Sequence, residues 1–165
     1  MFVDFNNMAG SARLWVYQAD RSLSIEESEA IAELTKDFLT KWTAHGAGLK
    51  SSFRIFHNHF LAISVDEDHA GASGCSIDAS VHFVQSLERQ FSVDFFDRTK
   101  VAFYDGEQVF IESLSNIKNN MTTKVISEST LVFNNLVKNI SELNSNWLMP
   151  VSESWLERYF KKQKV

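Results

Sequence analysis

The chain predicts an α+β fold: a largely antiparallel sheet with helices packed mainly on one face. Three observations carry this. Two pairs of short β-rich runs, 53–56 with 60–65 and 100–104 with 108–112, are each split by only a few residues, so each pair reads as an antiparallel hairpin. Two longer stretches, opening at Ser24 and at Ile77, place apolar residues at helical spacing. The 165 residues, 44% of them hydrophobic, fit one domain over 1–165, a size that buries roughly 70% of its unfolded surface.

The elements follow in order. Residues 13–18 (RLWVYQ) are aromatic and β-rich and read as a strand. Ser24 and Glu27 form a capping box, in which hydroxyl and carboxylate each satisfy an amide at the helix start. Ile31, Leu34, Phe38, Leu39 and Trp42 make the buried stripe, and Gly46 and Gly48 stop the helix. The 53–56 and 60–65 strands enclose His57, Asn58 and His59 as turn residues. Residues 66–76 are a loop, and Ile77, Val81, Val84, Leu87 and Phe91 mark one face of a second helix. Asp105-Gly106 is the strongest hairpin signal in the chain. A short helix at 114–121, a strand at 130–137 and a short helix at 141–147 follow. Pro150 interrupts, and Ser152 caps a last helix carrying Trp155, Tyr159 and Phe160. The first half therefore runs β-α-β-β-α-β, the ferredoxin-like order. Residues 1–10 are expected to be disordered, or to precede a start at Met8.

Composition narrows the function classes. A net charge of −5 favours solubility and argues against a nucleic-acid partner, which needs a basic face. The basic cluster Arg158, Lys161, Lys162 and Lys164 reads as a solvated last turn. With Cys75 as the one cysteine, no internal disulfide forms, and a reducing, cytoplasmic compartment is expected. Neither a signal peptide nor a run of about 20 apolar residues is present, so no membrane partner is expected. The sequons at Asn120 and Asn139 then read as chance matches. Exposed aromatics such as Trp147 and Trp155 would suit a protein-interaction module, and a homo-oligomer is left open.

One segment carries candidate chemistry. Residues 66–78 leave a strand and enter a helix, with Gly71 and Gly74 giving the backbone room and Ser73 and Ser76 at the edge. Free amides at a helix start suit a small anionic ligand. Cys75 lies at that start, where a thiolate is stabilised, and Asp78 and His82 share a helical face four residues apart. Three readings stand together: a thiol enzyme with His69 or His82 as base and Asp78 as orienter; a metal site of His69, Cys75, Asp78 and His82 with the nearby acids Asp66 and Asp68; or a structural connection in which Cys75 is a buried small hydrophobe, with at most non-covalent binding. The spacing matches no standard zinc pattern. A second segment, 46–51 (GAGLKS), departs from a phosphate loop because Leu49 separates Gly48 from Lys50 and the run follows a helix instead of a strand. Asn134-Asn135 interrupts an apolar strand, its amides available to a ligand or to neighbouring backbone.

Segments 42–47, 66–78 and 132–137 resemble a family of small uncharacterised bacterial proteins that often carries the label "ABC transporter ATPase". The resemblance covers residues 8–160. It implies a small bacterial protein and transfers no mechanism. Transporter ATPases use a phosphate loop, a magnesium-holding acid and an LSGGQ-type signature; none of these motifs occurs in this sequence, and no ATPase residues are assigned.

Overall fold

The computed structural model describes residues 1–161, which form an α+β structure with antiparallel sheets. Lys162 and Lys164 of the basic cluster lie outside the described residues. The order is β1 (Arg13–Gln18), α1 (Ile25–Lys41), β2 (Thr43–Ala44), β3 (Ala47–Gly48), β4 (Ser51–Phe56), β5 (Phe60–Val65) and α2 (Gly74–Phe91). Then come β6 (Lys100–Tyr104), β7 (Val109–Ser113), α3 (Leu114–Lys118), β8 (Leu131–Phe133), α4 (Ile140–Asn146), β9 (Leu148–Pro150) and α5 (Glu157–Lys161).

A three-stranded sheet has the order β1-β5-β4, and a four-stranded sheet has the order β7-β6-β8-β9. The first three long strands keep the neighbour relations of the expected split arrangement. The strand after α2, however, founds the second sheet instead of closing the first. All six residues of β5 are buried, as a central strand covered on both faces requires. Leu61, Ile63 and Val65 pack with Ile31 and Leu39 of α1 and Val84 and Leu87 of α2, so both long helices lie on one face. Phe60 and Ala62 point the other way, into a core shared with Ala102 and Phe133 of the second sheet.

The cap of α1 is as the sequence reads. Ser24 Oγ accepts from Glu27 N at 3.0 Å, and Glu27 Oε1 accepts from Ser24 N at 2.9 Å. Arg21 grips the same carboxylate with two bonds of 2.9 and 2.8 Å; with the Ser24 amide, it holds the Glu27 carboxyl down at about 2.

Several expectations are corrected. Residues 1–10 pack instead of fraying: Phe5 and Met8 are buried in the shared core, and Val3 N donates to Ser51 O at 2.9 Å. Burying a Phe and a Met offsets the entropy of ordering the segment. Past α1 the chain makes a small β2–β3 hairpin, with positive φ at His45 (51°) and Gly46 (81°). The β4–β5 hairpin encloses three residues, His57 to His59, and has two successive positive φ values without glycine, at His57 (55°) and Asn58 (53°). The 130–137 strand stops at Phe133: Asn134 N makes a last in-register bond to Trp147 O of the neighbouring segment, and the Asn134 side chain then accepts from Leu136 N in a local turn. The 152–160 helix is broken by Ser154, whose hydroxyl donates to Val151 O and accepts from Leu156 N. Trp147, expected to be exposed, is 6% exposed.

Candidate functional site

The 66–82 segment takes its shape from its own hydrogen bonds. After β5, Asp66 Oδ1 accepts from Asp68 N at 3.1 Å, a local Asx turn. Asp66 Oδ2 lies 3.4 Å from Lys50 Nζ, and Glu67 lies 3.3 Å from Arg13. Neither Gly71 nor Gly74 adopts a positive φ, and a Cβ on Gly74 would meet open space. The backbone therefore does not need glycine at either position, contrary to the tight-turn reading.

Ser73 and Ser76 form a reciprocal cap on α2. Ser73 Oγ accepts from Ser76 N at 3.1 Å, and Ser76 Oγ accepts from Ser73 N at 2.7 Å. Ser76 Oγ also donates to Ser73 O at 2.8 Å, and Ile77 N donates to the same carbonyl at 2.9 Å. The hydroxyls expected to meet a ligand thus satisfy the helix start instead. Trp42 Nε1 donates to Ser76 O at 2.8 Å in a buried bond, which pins that turn of α2 to the end of α1.

Cys75, Asp78 and His82 share one exposed face of α2, and His69 and Asp68 are exposed in the preceding loop, so Cys75 is not the buried small hydrophobe of the structural reading. Neither of the two concavities of the second sheet is lined by any of these residues. Among the described residues no three His, Cys, Asp or Glu side chains converge to hold a metal ion. The 46–51 run leads into strand β4, and its Lys50 is engaged by Asp66, so its geometry is not that of a phosphate loop.

The concave surface lies elsewhere, on the second sheet. A concavity of about 420 Å³ is bounded by Tyr104 to Gly106, Phe110, Lys124, Val125 and residues 129–131. A neighbouring one of about 300 Å³ shares Lys124 and Val125 and reaches Ile117 and Phe160. Lys124 Nζ stands 4.7 Å above the Phe110 ring and 3.5 Å from Asp105 Oδ2. On the same segment, Val125 is 93% exposed and Met121 67%.

Glu112 anchors this segment. It is 5% exposed, accepts from Asn116 Nδ2 at 2.9 Å, and accepts from Thr123 N and Oγ1 at 3.2 and 3.3 Å. Burial pushes its carboxyl up, but the bonds from Asn116 and Thr123 outweigh it and leave the group below its ordinary value. Sequence reasoning missed this surface. Residues 119–126 carry no spacing signal, and only the mixture of Met121, Val125 and Ile126 with polar neighbours marks them.

Asn135 has a different job from either one expected of it. Its amide accepts from Trp147 Nε1 at 3.0 Å and donates to Gln18 Oε1 at 2.8 Å; Gln18 Nε2 donates on to Lys100 O at 3.1 Å. This relay joins β1 of the first sheet to β6 of the second.

No helix among the described residues is long and apolar enough to cross a membrane. Compared with protein-family models, curated proteins and solved structures, the chain matches none significantly.

Proposed function

We propose that this chain is a binding module that recognises another polypeptide through the surface formed by the β6–β7 turn and residues 119–131. The observation that carries the proposal is the exposure of Met121 (67%) and Val125 (93%) beside the concavity over Phe110 and Lys124. Single exposed apolar residues need no explanation, but apolar residues flanking a concavity with a cation at its wall suit a partner. A photo-crosslinking residue placed at Val125 is expected to give one discrete adduct in cells, weakened by Lys124→Glu. The same residue at Glu29, exposed on α1, serves as the control. Equal adduct patterns at both positions would refute the proposal.

A second reading rests on Cys75, Asp78 and His82 sharing the exposed face of the 18-residue helix α2. In it the thiol is a nucleophile, and His82, two helical turns or about 10.5 Å further on, can serve a bound substrate but not the thiol itself. Native Cys75 should then be alkylated at neutral pH faster than a cysteine in an unstructured peptide, and His82→Ala should leave that rate unchanged. Equal rates in protein and peptide would remove this reading. A small anion at the start of α2 is disfavoured by the mutual capping of Ser73 and Ser76 and by the surrounding acids.

A further inference from the structure

Strand β7 is an outer strand of its sheet. Edge strands expose a row of unpaired main-chain groups, and proteins usually block them. The other long outer strands are each engaged near their first residues, and the rest are short. Val3 N donates to Ser51 O on β4, and Leu14 N of β1 donates to Lys138 O. The third, β9, is three residues long and ends on Pro150. Along the outer side of β7, among the described residues, no main-chain partner is found. Its five residues, Val109–Ser113, include no Pro, Lys or Gly. One face packs Val109 and Ile111 against the shared core; the other carries Phe110, stacked on Phe103 at 5.3 Å, beside the Glu112 carboxylate.

We infer that β7 accepts an extended segment of a partner protein as an added strand, with an acidic side chain of that segment meeting Lys124. This rests on the binding-module reading and specifies how it works. Main-chain bonds to the open edge supply the affinity, and alternate side chains read the two faces. Charge selects the occupant. Lys124 Nζ sits over Phe110, and its contact with Asp105 is long (3.5 Å) between half-exposed side chains, so an incoming carboxylate can exchange with it. A second copy fits less well. Antiparallel self-pairing about Ile111 would set Phe110 against Glu112, whose carboxylate is already engaged.

The test uses the full chain, labelled with nitrogen-15, and an end-blocked synthetic pentapeptide of valines and threonines around a central glutamate. At millimolar peptide, the outward-facing amides of Val109, Ile111 and Ser113 are expected to shift and to exchange hydrogen more slowly, while those of Phe110 and Glu112, which face β6, keep their protection. Backbone N-methylation of the peptide should abolish this, and Lys124→Glu should weaken it severalfold. Shifts confined to other residues would overturn strand addition while leaving a binding surface in place. No shift anywhere, or Val109, Ile111 and Ser113 amides that already exchange as slowly as those of β6 without peptide, would overturn strand addition. The Val125 crosslink then judges the binding-module reading separately.

Discussion

Replacing Asn135 with Ala tests whether the two sheets are tied by the polar relay. The substitution removes the acceptor of Trp147 Nε1 and the donor to Gln18 Oε1 at once. Trp147 is 6% exposed, so its N–H has little access to water, and Gln18 is half-buried. Each stranded group costs about 1–3 kcal/mol; with partial solvent access the pair should cost about 2–4 kcal/mol. For a chain of this size that is a fall in Tm of roughly 5–15 °C. Urea unfolding followed by tryptophan fluorescence and by far-ultraviolet circular dichroism measures it. Trp147→Phe keeps an aromatic ring but removes the donor, and the double variant closes a cycle. A single-variant loss below about 0.5 kcal/mol, or strict additivity in the cycle, would refute the relay as an energetic link between the sheets.

Four further outcomes are expected. Glu112→Gln should destabilise by about 1–3 kcal/mol near neutrality. Because the Glu112 carboxyl is depressed on folding, its contribution is present above the ordinary carboxylate range and lost as pH falls through the folded value, so the gap between wild type and variant should close in acid; a gap constant with pH would contradict this. His57 is shifted down, first by burial and then by His59, so the unfolded chain binds its proton more readily and stability should fall as pH drops below about 6.5. His57→Gln should flatten that slope in pH-dependent unfolding. Trp42→Phe removes the donor to Ser76 O, which keeps its helical partner in α2, and should cost about 0.5–1.5 kcal/mol, with amide exchange at the start of α2 rising first. Ser64 Oγ is fully buried without a partner, so Ser64→Ala should be neutral or stabilising by about 1 kcal/mol; a clear loss in a thermal melt would show that the hydroxyl is bonded in solution.

What the sequence determined by itself is local. The capping box at Ser24, the two hairpins and the apolar stripes of α1 and α2 depend on residues a few positions apart, so short-range spacing reveals them. The Ser73–Ser76 cap depends on equally near residues, yet Gly71, Gly74 and Cys75 drew attention to ligand chemistry instead. Tertiary structure alone decided the rest. That Asn135 bonds Gln18, 117 positions away, that Trp147 turns inward, and that the strand after α2 leaves the first sheet depend on contacts between distant segments. So does the surface around Lys124, where Glu112 holds Thr123, and Phe110 and Asp105 hold Lys124. Spacing along a chain encodes which face a residue occupies, but the opposing surface is supplied by another part of the molecule.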